Sequence, residues 1–125
     1  MKAYTDIEQS KVLAEILPIE SADMYYCYSM DIKAKEWSYD ITPTIIDEEN
    51  KLDIGDISCW SLAALLESMP YEIDDNHFLT VESEGNEYCC CYEDINGNSF
   101  RHEFADNPID ACVEMVVKLH EKGLI

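Results

Sequence analysis

The sequence predicts an α+β domain, an antiparallel sheet packed against about three helices. Three observations predict it. Apolar residues recur at helical spacing in three blocks, near 5–17, 58–69 and 108–122. Three strand-like runs, near 77–83, 87–94 and 98–104, lie between the second and third blocks and are joined by turn residues. Strand and helix do not alternate as a doubly wound parallel sheet requires. At 125 residues the chain has room for one domain.

The first helix is expected over 5–17. Thr5 and Glu8 have the spacing of a capping box, and Val12, Leu13, Ile16 and Leu17 form one stripe. Pro18 ends it, lacking an N–H and disfavouring helix in the residue before it. Residues 24–30, Met-Tyr-Tyr-Cys-Tyr-Ser-Met, read as a strand, with Glu36-Trp37-Ser38-Tyr39 as a hairpin partner. Residues 40–57 read as a long acidic connection. The second helix is expected from Ser58, as N-cap, to Met69, with Leu62, Leu65, Leu66 and Met69 on its buried face and Pro70 after it.

A three-stranded meander follows. Asn96-Gly97 predicts a type I′ hairpin whose two-residue loop pairs Cys91 with His102 and Tyr92 with Arg101. Cys89, Cys91, Phe100, His102 and Phe104 then share one face, read as the core face. The turn at Glu84-Gly85-Asn86 has two solutions. A three-residue loop places Leu79 and Val81 on that same face, and a two-residue loop puts them on the other. The three-residue loop is preferred because it gathers the apolar side chains. The last helix has Asn107 as N-cap, Pro108 at N1, Asp110 in the first turn and Gly123 past its end. Ile109, Cys112, Val113, Val116 and Leu119 are its buried stripe.

Charge limits the partners. Acidic residues number 27 against 8 lysines and arginines, a formal net charge of −19. Direct nucleic-acid binding through a broad basic face is excluded, because neutralising phosphates needs Lys and Arg. Docking on anionic membranes is disfavoured. No apolar run reaches the ~18 residues of a membrane span, and none follows Lys2 as in a secretory leader. A cytoplasmic location is expected. Six cysteines, three of them consecutive at 89–91, do not form a disulfide framework, since neighbouring strand side chains point to opposite faces. They are read as reduced core thiols.

Three segments resemble those of small uncharacterised proteins encoded by gut bacteria and by their phages and mobile elements. They are YTDIEQSKVLAEILPIESADMYY at 4–26, CWSLAALLESMP at 59–70 and PIDACVEMVVKLHEKGL at 108–124. The resemblance covers somewhat under half the chain and includes no catalytic motif. It implies a mobile-element origin and an accessory role, and it assigns no functional residue.

The candidate sites start from charge. No Lys or Arg lies between Lys51 and Arg101, while residues 52–100 carry eleven acids. Duplex DNA carries one negative charge per ~1.7 Å of axis. A rigid surface of carboxylates at comparable density can occupy a DNA-binding protein's basic groove. The residues named for that surface are Glu72, Asp74, Asp75, Glu82, Glu84 and Glu87. A solvated acidic surface that only keeps the protein soluble is the plainer reading. Cys89, Cys91 and His102, with His77 or Cys59 as a fourth ligand, are weak candidates for zinc or thiol chemistry, since no C-x2-C or H-x3-H pair is present. The acids of 47–56 do not match an EF-hand. Neither a Gly-x-Ser-x-Gly elbow nor a phosphate-cradling glycine loop occurs. His120 is expected near the C-terminal end of the last helix. Tyr25, Tyr26 and Tyr28 place rings on both faces of one candidate strand, one of which can serve as a binding patch.

The functional expectation is a non-enzymatic acidic accessory protein without a cofactor. It binds another protein, in the specific version as an inhibitor or modulator of a nucleic-acid-binding host protein. The alternatives are a small enzyme or metal/thiol sensor using Cys89, Cys91 and His102, and a homo-oligomeric structural module using the tyrosine-rich strand.

Overall fold

The computed structural model describes the backbone of all 125 residues and every side chain except those of Phe100 and Arg101. The expected membership of Phe100 in the Cys89 face therefore lies outside the described side chains. The elements run α1 (Ile7–Ala14), a 3-10 turn (Ile19–Ser21), β1 (Met24–Tyr26), β2 (Tyr28–Asp31), β3 (Glu36–Tyr39), β4 (Thr44–Ile45), β5 (Ile57–Cys59), α2 (Leu62–Ser68), β6 (Glu72–Ile73), β7 (His77–Glu84), β8 (Glu87–Glu93), β9 (Ser99–Ala105) and α3 (Pro108–Glu121). Three antiparallel groups result: a small sheet β4-β1-β5, the hairpin β2-β3, and a four-stranded sheet β6-β7-β8-β9. This is the α+β class expected, with more strands than the meander and one hairpin.

Helix α1 starts one residue later than the Thr5–Glu8 pattern predicts. Asp6 is the N-cap, and a capping box joins it to Gln9. Thr5 is unavailable as a cap because its hydroxyl is committed to the interior. Its Oγ1 accepts from the Trp60 N–H (3.1 Å) and lies 2.9 Å from Ser10 Oγ. Val12, placed in the buried stripe by spacing, is exposed, whereas Leu13 and Leu17 are buried and Ile16, partly buried, packs against the core.

The expected strand 24–30 breaks at Cys27. Tyr25 and Tyr26 pair with β5 and are buried, whereas Tyr28 starts a separate hairpin and is 37% exposed. Ser58 is not a helix cap; it sits in β5 opposite Tyr25. The cap of α2 is Ser61, whose Oγ accepts from Ala64 N (3.2 Å) and whose N–H and O–H both donate to the Asp23 carboxylate. The segment 40–57, read as a connection, contains β4 and the first residue of β5.

Helix α3 follows the sequence reading closely. Asn107 Oδ1 accepts from Asp110 N (2.9 Å), and Pro108 is at the start. The helix ends in a Schellman motif, with Gly123 at φ +73 and the Leu124 N–H donating to Leu119 O (2.9 Å). Asp110 also anchors α3 to the N-terminal segment. It accepts from Lys2 Nζ (2.9 Å) and Gln9 Nε2 (2.7 Å). Burial raises its pKa, but the bonds from Lys2, Gln9 and Asn107 outweigh that and hold the carboxyl below its ordinary value.

The core lies between the helices and one face of the four-stranded sheet. It contains Leu13, Trp60, Leu65, Cys90, Tyr92, Ile109, Cys112, Met115, Val116 and Leu119, all 0% exposed. Leu79 and Val81 pack against it from the same sheet face.

Candidate functional site

Two turns decide which residues the open face of the large sheet presents. The first corrects the preferred three-residue loop. Glu84 pairs directly with Glu87, so the loop is Gly85-Asn86. Gly85 has φ +66 and Asn86 is not left-handed, the pattern of a type II′ turn that puts glycine first. This register aligns Leu79 with Tyr92 and Val81 with Cys90 on the core face. The face carrying Cys89, Cys91, His102 and Phe104 is therefore the outward one. The expectation that it was the core face is overturned, because Cys90 and Tyr92 supply the apolar surface that meets α3.

The second turn reaches the expected register by another route. Cys91 pairs with His102 and Tyr92 with Arg101, as predicted. The loop is not type I′, however. Gly97 has φ +82 while Asn96 is not left-handed, Gly97 N donates to Asp94 O (3.0 Å), and Glu93 pairs with Ser99. The loop is thus one residue longer, and a bulge beside Tyr92 and Glu93 absorbs the difference. Asp94 Oδ1 accepts from Asn96 N and Asn98 N (both 2.9 Å), which fixes this geometry.

The outward face then reads, strand by strand, Glu72 on β6, Phe78, Thr80, Glu82 and Glu84 on β7, Glu87, Cys89, Cys91 and Glu93 on β8, and His102 and Phe104 on β9. Side chains two apart on a strand are about 7 Å apart, and those on neighbouring strands about 5 Å. Four of the six acids named from the sequence, Glu72, Glu82, Glu84 and Glu87, share this face. Glu93 joins them and was missed. The signal for it was the two-residue loop, which places Glu93 opposite Phe78, on the same face as Glu72 and across β7 from it. Asp74 and Asp75 are not on the face. They form the β6–β7 turn, both in left-handed backbone at φ +52 and +62. Aspartate is there for a conformation it tolerates better than most residues.

Cys91 is 1% exposed although it points outward, because two carboxylates close over it. Its Sγ lies 3.0 Å from Glu93 Oε1, 3.9 Å from Glu82 Oε1 and 2.9 Å from Thr80 Oγ1. Glu82, Cys91 and Glu93 are the group of three potential ligands found among the described residues. They are the residues able to hold a divalent cation there. The expected trio Cys89, Cys91 and His102 does not converge in this way. The His102 ring instead meets Phe104 edge-on at 5.3 Å. Burial pushes the Cys91 thiol up, and the Glu93 carboxylate adds to it. Burial likewise raises Cys89. A nucleophilic cysteine needs the opposite shift.

The two carboxylates above Cys91 oppose each other. A hydrogen bond from Glu82 to Glu93, and then their mutual repulsion, raise the Glu82 pKa above its ordinary value. The sign follows: stability from the protonated Glu82 is fully present below the usual glutamate range and is lost as pH rises through its raised value. Glu82→Gln is therefore expected to raise the melting temperature at pH 7. The gain should shrink towards pH 4, as thermal melts across that range will show. A melt at pH 7 equal to or below that of the wild type would contradict the crowding.

Elsewhere, all six cysteines are thiols, and five are buried. His120 is exposed beside the C-terminal end of α3, with Nδ1 3.3 Å from Ile125 O. Of the acids of 47–56, Asp47 accepts from Glu49 N and Asn50 N of its own loop, and Asp56 accepts from Asp53 N and, across to β2, from Tyr28 N. Two shallow pockets of about 360 and 330 Å³ flank Tyr26 and Ile41, away from the acidic face. The Asp6 carboxylate in both is already paired with Lys2. Among the described residues no helix is long and apolar enough to cross a membrane.

The fold and site define an α+β domain with one helix-covered and one acidic face to its main sheet. No protein-family model, curated protein or solved structure matches the chain.

Proposed function

We propose that the chain is a non-enzymatic accessory protein that binds another protein, its acidic sheet face docking on the cationic surface with which that partner binds nucleic acid. The observation that carries this reading is the gathering of Glu72, Glu82, Glu84, Glu87 and Glu93 on the outward face of one sheet. The four strands contain a single Lys or Arg, Arg101. A sheet holds its carboxylates at fixed spacing, so they present charge without the entropy cost of ordering flexible chains. Glu84 directly faces Glu87, a like-charge pair that weakens a hairpin. A cationic partner relieves that repulsion and the crowding of Glu82 and Glu93. The resemblance of three segments to proteins of gut bacteria and their mobile elements supports an accessory role against a host protein. The sensor or enzyme reading has less support, since Cys91 is covered and its thiol is made less acidic.

The test is capture from a host lysate with the wild type and with Glu72→Gln/Glu82→Gln/Glu84→Gln/Glu87→Gln. The wild type is expected to retain a DNA-binding protein that moderate salt or added duplex DNA displaces. The neutralised variant, folded by circular dichroism, is expected to lose it. Equal retention by both proteins at moderate salt would overturn the reading.

A further inference from the structure

The strand register brings sulfur and oxygen donors to one spot on the outward face of the main sheet. Thr80 faces Cys91 across β7 and β8, with the pair Glu82–Cys89 on one side of it and the pair Phe78–Glu93 on the other. Glu82 and Glu93 therefore start on different strands and at opposite ends of this patch. Two acids of like charge gain by splaying apart into water. These two reach inward instead and meet over Cys91. Their carboxylate oxygens and the Cys91 Sγ all lie within 4.8 Å of one another.

Beneath the carboxylates lie two thiols. Cys91 is 1% exposed and Cys89 3%, and their sulfurs share a hydrogen bond. A patch of carboxylates alone attracts hard cations, whereas thiolate sulfur selects a soft or borderline one. Two sulfurs with two carboxylates suit zinc, which binds both donor types in a tetrahedron. Zinc lies ~2.3 Å from sulfur and ~2.0–2.2 Å from a carboxylate oxygen, so tetrahedral ligation separates the two by about 3.5 Å. Cys91 Sγ stands 3.0 Å from Glu93 Oε1 and 3.9 Å from Glu82 Oε1, on either side of that value. Cys89, in contact with Cys91 and paired across the strands with Glu82, is the soft donor placed for the fourth position. Thr80 Oγ1, 2.9 Å from the Cys91 Sγ, is placed to donate to a metal-bound thiolate, the kind of outer partner that orients a ligand.

The features that deny Cys91 a nucleophile's role are compatible with a ligand's. A nucleophile needs an open, ionised sulfur. A metal displaces the thiol proton as it binds, and the carboxylates that cover the sulfur become ligands themselves. One dication replaces two thiol protons, which pass to solvent, so the face keeps its net charge. Glu72, Glu84 and Glu87 stay free.

We propose that Glu82, Cys89, Cys91 and Glu93 form a binding site for one thiophilic divalent metal ion, of which zinc is the best match. The site is independent of any partner of the acidic face, because metal binding is measured on the isolated chain.

The test is titration of the full chain, reduced and freed of metal, with Zn²⁺ and with Co²⁺ as a spectroscopic probe. One ion is expected per chain. Excess Mg²⁺ is not expected to compete, since magnesium prefers oxygen ligands alone. Cobalt should give the strong visible bands of a tetrahedral site and a near-ultraviolet thiolate charge-transfer band. Glu82→Gln/Glu93→Gln is expected to weaken zinc binding by more than the ~100-fold that an outer-shell change costs. Glu82 is exposed and Glu93 half-buried, so this variant is expected to keep the fold even if Cys91→Ser, at a buried position, does not. Circular dichroism checks both. Cys91→Ser should abolish the charge-transfer band and Cys89→Ser halve it. Two controls should bind as the wild type does. Glu84→Gln/Glu87→Gln removes as much charge from the same face but no ligand, and Cys27→Ser removes the one thiol that is not buried. A chain that binds no zinc, zinc displaced by magnesium, or equal weakening in the Glu84→Gln/Glu87→Gln control would overturn the proposal. So would a charge-transfer band that survives in folded Cys91→Ser. An unchanged band in Cys89→Ser would overturn the four-ligand set.

Discussion

Trp60→Ala is expected to destabilise the fold by roughly 3–5 kcal/mol, the range for removing a large buried aromatic. Trp60 is 0% exposed and is the largest fully buried side chain. It follows β5 directly and precedes the Ser61 cap of α2, so its indole fills the space between the small sheet and the helical core. Its Nε1–H donates to Ser21 Oγ (2.9 Å), tying that junction to the 3-10 turn after α1. The substitution opens a cavity and also takes the donor from Ser21. Domains of this size are stable by only about 5–15 kcal/mol, so the loss is a large fraction of the total. Urea unfolding followed by far-UV circular dichroism measures it, since the signal does not depend on tryptophan. Trp60→Phe, which keeps most of the volume and loses the hydrogen bond, should cost much less. An alanine variant within about 1 kcal/mol of the wild type would show that the site collapses around the gap.

Thr5→Val is expected to cost about 1–3 kcal/mol although it changes no more than a hydroxyl to a methyl. Thr5 is 0% exposed and sits where three elements meet. Its N–H donates to Trp60 O (3.0 Å), its Oγ1 accepts from Trp60 N, and its carbonyl accepts from Tyr26 OH (2.8 Å). Valine leaves the Trp60 N–H and the Ser10 hydroxyl without that partner in the interior, and an unsatisfied buried donor carries its full desolvation cost. Thr5→Ser keeps the hydroxyl and should be milder. The melting temperatures should separate by several degrees, at roughly 3–6 °C per kcal/mol for a domain of this length. Valine and serine variants of equal stability would place the effect in packing rather than in the hydrogen bond.

These positions show where sequence reasoning stops. Thr5 and Asp6 both stand three residues before a side chain able to complete a capping box, Glu8 and Gln9. Local chemistry did not separate them. The fold did, because Trp60 needed an acceptor and Thr5 was beside it. Ser58 and Ser61 posed the same choice. Pairing of Ser58 with Tyr25 in the small sheet removed it from the helix, and Asp23, which no local pattern connects to residue 61, secured the second serine. At the candidate site the acids were legible as composition, but their placement on one face was not. It rested on a loop of two residues rather than three, and a slip of one residue exchanges the faces of a strand.

The sequence by itself determined the α+β class, the boundaries of α3, the three long strands and the acidic character of residues 52–100. Each of these depends on contacts between near neighbours in the chain: an Asn-Pro cap, a Gly at positive φ, an alternation of side chains. Tertiary structure alone decided that Cys90 and Tyr92 face the core and that five glutamates share the outward face. It also decided that Tyr28 parts from Tyr26 to build an exposed aromatic hairpin. The first two outcomes depend on which surface α3 covers. A helix 15 or more residues away in sequence sets that by burying the larger apolar area, and no local pattern in the strands records it.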